Sequence, residues 1–125
     1  MISLEKTKFG SITISGKKYK HDVYLFPDGT IEKRDKSHSP RIGGHRSLSV
    51  WELKRVLDDN PDILLIGMGQ SGVLPMSEET VNWLEAKAEE KDIEIIQKNT
   101  PEILEIANQY LNSDKKVAGI FHTTC

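Results

Sequence analysis

The stretch LLIGMGQSGVLP, residues 64–75, decides how this chain is read. Gly67-x-Gly69-x-x-Gly72 has the G-x-G-x-x-G spacing of loops that cradle a dinucleotide pyrophosphate. Such a loop needs its third glycine to open a helix directly. It also needs an acid at the end of the next strand, about 20 residues on, to hold the ribose. Here Val73-Leu74-Pro75 follow the third glycine, and the next residue suited to cap a helix is Ser77. The following strand-like run, IEIIQ (residues 93–97), leads into Gln97 and Lys98 with no acid at its end. The motif also sits mid-chain, with no room for a second mononucleotide half, and it lacks the Gly-Lys-Ser/Thr ending of a nucleotide-triphosphate loop. The reading that remains is a turn. An apolar run, DILLIG, suits a strand buried on both faces, and glycines follow where the backbone takes positive φ or another segment comes close. Open α/β sheets nevertheless bind ligands at the carboxyl ends of their strands. An anion or small ligand on the amides from Met68 to Gly72, with Gly67, Gly69, Gln70, Ser71, Gly72 and His122 as candidate site residues, therefore stays open as a second reading.

Outward from this loop, the chain alternates helix and strand from residue 48 on. Ser49-Val50-Trp51-Glu52 is a capping box, with Val50, Leu53 and Leu57 as its apolar stripe, and Asn60-Pro61 as the stop. Ser77 caps a second helix with Glu78 and Glu79 in its first turn and Val81, Leu84 and Ala88 inward. Thr100-Pro101 opens a third, with Ile103, Leu104, Ala107 and Leu111 inward. The apolar strand VAGIF and a polar tail, HTTC, end the sequence.

Before residue 48 the grammar is that of strands. SITISG, YKHDVYLF and TIEKR read as a meander of three, with PDG (residues 27–29) as a turn. Within YKHDVYLF, Tyr19, His21, Val23 and Leu25 fall on one face, and Lys20, Asp22, Tyr24 and Phe26 on the other. DKSHSPRIGGHR (residues 35–46) shows no periodicity and reads as a loop. The order is β-β-β-α-β-α-β-α-β, which predicts an α/β fold of one domain over residues 1–125. Its central sheet is mixed and mainly parallel, with the N-terminal β-meander at its edge or side.

Composition narrows the function classes. The 125 residues carry a net charge of −2, but residues 1–46 hold 10 Lys+Arg against 5 Asp+Glu, and residues 47–125 hold 7 against 14. The basic third lacks the aromatic interleaving of a base-stacking surface, so nucleic acid is not the expected partner. No apolar run approaches the roughly 20 residues of a membrane helix, and the charged N-terminal decapeptide is unlike a secretory leader. With one cysteine, Cys125, and no membrane segment, the expectation is a cytoplasmic, soluble protein. His122-x-x-Cys125 offers too few ligands for structural zinc and no orienting third group for a nucleophile, so no metal or cofactor is expected. His122 should be partly buried and bonded, Cys125 packed, and Trp51 and Trp83 packing residues.

FGSITISGKKYKHDV, the DG before a short strand, SVWEL, LLIGMGQSGVL and the terminal FHTTC together resemble, in that order, the Mth-type domain of adipogenesis-associated proteins. A mitochondrial assembly factor for respiratory complex I belongs to the same superfamily. The resemblance spans nearly the whole chain and implies three layers around a mixed sheet. It brings no agreed reaction. What it implies is an interaction or assembly role with a protein partner, a homodimer included, and it leans away from an enzyme. The positions that carry it are Gly67, Gly69, Gly72, His122, Thr124 and Cys125.

Overall fold

In the computed structural model, which describes residues 2–125, the strands of the first third are β1 (Leu4–Lys8), β2 (Ser11–Ile14), β3 (Lys17–Tyr19), β4 (Val23–Leu25), β5 (Ile31–Lys33), β6 (Arg41–Ile42) and β7 (His45–Arg46). Helix and strand then alternate as α1 (Val50–Val56), β8 (Ile63–Met68), α2 (Glu78–Lys91), β9 (Glu94–Lys98), α3 (Thr100–Leu111) and β10 (Val117–His122). DILLIG supplies β8, which lies between β10 and β9 and runs parallel to both. β4 joins the other side of β10 antiparallel, and β5 pairs antiparallel with β4, giving the order β5-β4-β10-β8-β9. The sheet is mixed, as expected, but it is half parallel and not mainly so: β8 pairs parallel with β10 and β9, while β4 pairs antiparallel with β10 and β5.

The period of two along each strand sorts residues into two cores. Ile63 and Leu65 of β8, Val23 and Leu25 of β4, and Val117 and Phe121 of β10 face Ile103, Leu104 and Ala107 of α3. The antiparallel sheet β1-β2-β3 covers the same side with Leu4, Ile12 and Ile14. Leu64, Ile66, Tyr24, Ala118 and Ile120 point the other way, against Leu53 and Val56 of α1 and Leu84 of α2. Three layers result, and each buried aliphatic side chain contributes roughly 1.5–3 kcal/mol to holding them together.

The first third differs from its sequence reading. YKHDVYLF is not one strand: it breaks at Lys20-His21-Asp22, where the chain leaves the outer sheet at Tyr19 and enters the central sheet at Val23. The cause is Asp22, whose carboxylate accepts hydrogen bonds from the Thr123 amide and hydroxyl and is drawn inward to them. LEKTK adds a strand that its charges concealed, since only Leu4 is buried. The stretch 35–46 is not aperiodic either. It contains the hairpin β6–β7, turned by Gly43 and Gly44 at φ of 59° and 83°, the two positive values of a type I′ turn.

The three helix starts fall close to where the caps place them. Ser49 forms its capping box with Glu52, and Ser77 accepts from the Thr80 amide. α1 stops earlier than Asn60-Pro61, capped at Leu57. α2 ends on Asp92 in the left-handed conformation.

Candidate functional site

The glycine loop lies at the carboxyl end of β8, and the ends of β9 and β10 converge on it. Each of its glycines is required by close packing or by backbone angle. A Cβ on Gly67 would meet Thr100 Oγ1 at 2.8 Å. Gly69, at φ +105°, would drive a Cβ into the Cys125 carbonyl group and to 2.7 Å from His122 Cδ2. Gly72, at φ +76°, would collide with the Asn99 side-chain oxygen. His122 therefore does face the loop, but against backbone and with no space between them.

The loop's donors are directed at the protein itself. Gly69 N donates to Thr100 Oγ1 (2.9 Å), Gln70 N to the Thr124 carbonyl (2.7 Å), and both Ser71 N (3.3 Å) and Val73 N (2.9 Å) to the Cys125 oxygen. The Gln70 side chain donates to Thr7 Oγ1, and Thr100 N returns a bond to the Gly69 carbonyl. Residues 124–125 thus occupy the position a bound anion would take. Cys125 itself is partly exposed, where packing was expected.

Beneath the loop runs a buried chain of polar side chains. His122 Nδ1 lies 2.7 Å from Asp22 Oδ2, and Arg34 Nη1 lies 3.0 Å from the same oxygen. Arg34 Nε donates to Glu52 Oε1 at 2.6 Å and its Nη2 to the Ser47 carbonyl at 2.9 Å. Glu52 also accepts from Tyr24 OH and Ser39 Oγ, each at 2.7 Å, and from the Ser49 amide at 3.0 Å. The side chains of Arg34, Asp22 and Glu52 are 1%, 3% and 0% exposed, deep enough that an unpaired charge would be very costly. Their pairing changes their acidity. Burial would raise the Asp22 carboxyl, but His122, the Thr123 amide and Arg34 together hold it well below the usual carboxylate range. Burial opposes ionisation of Glu52 too, and Arg34, Ser39 and Tyr24 outweigh it. The Tyr24 phenol is pushed far above its ordinary value, first by burial and then by Glu52.

His122 Nε2 lies 3.3 Å from Thr124 Oγ1, so threonine, histidine and aspartate follow one another in space. That order is shared with nucleophile relays, but Asp22 is already saturated by four donors, and the loop amides that could hold an oxyanion are bonded to residues 124–125. Among the described residues, no buried side-chain nitrogen or oxygen lacks a partner. The arrangement is chemically equipped to lock strand ends together.

Asp22 and Arg34 were missed by the sequence reading, and Glu52 was seen only as a capping residue. Nothing in the sequence marked Asp22: it falls at the break between β3 and β4, on a face that the period of two gives to Lys20 as well as to Tyr24 and Phe26.

Five surface clefts of about 290 to 540 Å³ are lined by other residues. The largest, about 540 Å³, lies between α1 and α2. Its apolar residues are Leu57, Trp83 and Ile93, and Lys54, Lys87 and Lys91 surround them, with Asp58 as the one acid. Lys87 Nζ sits 5.7 Å from the centre of the Trp83 ring. Next to it, Trp51 is stacked on His38 (4.3 Å between centroids) and carries Arg55 on its ring. Both tryptophans are half-buried, and Trp83 packs against the core on the α1 and α2 side, as expected of a packing residue.

Fold and site define a three-layer α/β domain whose strand ends are sealed by the polar end of its own sequence. The chain belongs to the family described as protein of unknown function (DUF498/DUF598), whose pattern matches residues 4–122. It is similar over 98% of its length to the crystal structure of the conserved hypothetical protein PH1505 from Pyrococcus horikoshii, at 34% identity, 99% coverage of that chain and a TM-score of 0.81. It is also similar to MT938, at 25% identity, full coverage of both chains and a TM-score of 0.78. A Bordetella pertussis protein described as a Mth938-like domain shares the fold alone, at 13% identity, a TM-score of 0.56, and coverage of 98% of this chain and 85% of that one. No curated protein matches the chain. Among the described residues, no helix is long and apolar enough to cross a membrane.

Proposed function

We propose that the protein is a non-enzymatic interaction domain that docks an acidic segment of a protein partner in the groove between α1 and α2. The observation that carries this is that Lys54, Lys87 and Lys91 line one cleft with Trp83, Leu57 and Ile93, three cations against the single acid Asp58, within the acidic part of the chain. Such a surface suits a segment that presents one aromatic or aliphatic anchor flanked by Asp and Glu. Charge brings the segment in and the anchor holds it. The resemblance to adipogenesis-associated proteins and to a complex I assembly factor supports a role in assembly over catalysis, and the cytoplasm remains the expected compartment.

A second reading, a small anion at Gly67, Gly69, Gln70, Ser71, Gly72 and His122, is favoured by one observation. Three loop amides already converge on the oxygens of residues 124 and 125, so the geometry suits oxygen acceptors. An anion would have to displace that segment.

The test is a titration of the full chain with a synthetic acidic peptide bearing one central phenylalanine, followed by tryptophan emission. The expected result is saturable binding that weakens with salt and is lost in Lys87→Glu, while a basic peptide of equal length gives none. Absence of saturation would remove the groove. Binding of inorganic phosphate that His122→Asn abolishes and Lys87→Glu leaves intact would put the second reading in its place.

A further inference from the structure

We infer that β9 is the dimerisation edge of this protein: two copies pair β9 with β9, antiparallel about a two-fold axis through Ile96, into one continuous ten-stranded sheet. This goes beyond the groove reading and uses a different surface.

β9 is the terminal strand of the central sheet, bonded to β8 on one side only. Glu94 N donates to the Asp62 carbonyl on the β8 side. Backbone groups alternate sides along a strand, so Glu94, Ile96 and Lys98 bond inward, while the N–H and C=O of Ile95 and Gln97 face outward. Native edges are commonly protected by proline, a bulge or an inward-pointing charge. The five residues EIIQK contain no proline, pair with β8 in unbroken register, and have Ile95 and Ile96 partly exposed on their two faces.

The sequence of the edge is complementary to itself. Antiparallel pairing about Ile96 sets Glu94 opposite Lys98, Ile95 opposite Gln97, and Ile96 opposite Ile96. The outward-facing residues, 95 and 97, then meet as hydrogen-bonded pairs and exchange four N–H···O=C bonds, so backbone parity and side-chain register agree on one arrangement. Glu94 and Lys98 become non-hydrogen-bonded partners, whose side chains approach most closely. Two opposite-charge pairs thus flank the central isoleucine pair on the α3 side. In-register parallel pairing would instead set Glu94 against Glu94 and Lys98 against Lys98. A shift of register by two residues in either direction would set Ile96 opposite Glu94 or Lys98 and break the isoleucine pair.

The flank fits the same occupant. A cleft of about 440 Å³ runs beside β9 on its α2 side, with Met76, Val81, Leu84, Ala88 and Ile95 as its apolar lining and Glu85 and Gln97 as its polar lining. A second copy brings its own Ile95 and Gln97 to the mouth of this cleft and covers apolar surface that a lone chain leaves wet. The interface is isologous, so it closes at two copies.

The test is sedimentation equilibrium of the full chain from micromolar to millimolar concentration. The expected mass rises toward twice 14.1 kDa. Glu94→Lys and Lys98→Glu should each weaken the dimer about tenfold, since each turns two attractive pairs into repulsive ones. The double variant Glu94→Lys/Lys98→Glu should return to within about threefold of the natural chain, because the swapped pairs are again opposite. Hydrogen exchange gives a second reading: the amides of Ile95 and Gln97 should gain protection with rising concentration, and those of Glu94 and Ile96 should be protected throughout. A mass that stays at one chain over the whole range would overturn the proposal. So would a dimer whose strength ignores the single reversals, or one that the double swap fails to restore.

Discussion

At the scale of the residue, Arg34 is the cation on which the buried network depends. It stands between two carboxylates that have no other guanidinium or ammonium partner among the bonds seen, and His122 reaches only Asp22. Arg34→Met should lower unfolding free energy by about 3–5 kcal/mol, because it leaves Glu52 buried with no cationic partner and Asp22 with His122 alone. Arg55, which pairs with Glu32 where both side chains are about 40% exposed, provides the control. Arg55→Met should cost under about 1 kcal/mol. Urea unfolding of the two variants measures the contrast, and equal losses would show that burial is not what gives the Arg34 pair its strength. This network was the least legible part of the sequence. Asp22, Arg34, Glu52 and His122 are far apart in the chain and recur at no spacing, and only folding joins them. The exception is Glu52, which the capping box revealed and which then serves a second set of donors.

At the scale of the element, the helix and strand pattern after residue 48 was readable because each element carries its own signal. A capping residue opens α1 and α2, proline opens α3, and β8 and β10 are short apolar runs that suit strands buried on both faces. The first third was readable in part: SITISG and TIEKR supply β2 and β5, but the charges of β1 hid it, and β3, β4 and the hairpin strands, two or three residues long, are too short to show period two. The glycine loop sits between these cases. Its spacing suggested a ligand motif, and the backbone angles and contacts explain the glycines without one. Gly69→Ala should therefore be strongly destabilising, by about 1–3 kcal/mol for the angle alone and more for the collision with Cys125. Gly43, in the β6–β7 turn, also has positive φ but open space where a Cβ would go. Gly43→Ala should cost only the backbone part, about 1 kcal/mol. Thermal unfolding of the pair separates angle from collision, and equal shifts in Tm would mean that residue 125 is not packed on Gly69.

At the scale of the whole molecule, the same network sets how the fold responds to acid. Asp22 and Glu52 both titrate below their ordinary values when folded. A carboxyl depressed in the folded state adds stability that is complete above its unfolded pKa, about 3.9 for Asp and 4.3 for Glu, and that fades as pH falls toward the folded value. Unfolding free energy should therefore be level above about pH 5 and decline steadily below it, as the unfolded chain takes up protons that the folded chain refuses. Because β9 pairing would add a concentration-dependent component, the series belongs at one low protein concentration. Asp22→Asn provides the decisive comparison. It removes the most strongly depressed carboxyl, so its curve should start lower at neutral pH and fall less steeply in acid. The two curves should then converge toward pH 2–3. Parallel curves across that range would mean that Asp22 is as readily protonated in the fold as in the unfolded chain, and the charge network beneath the loop would have to be redrawn.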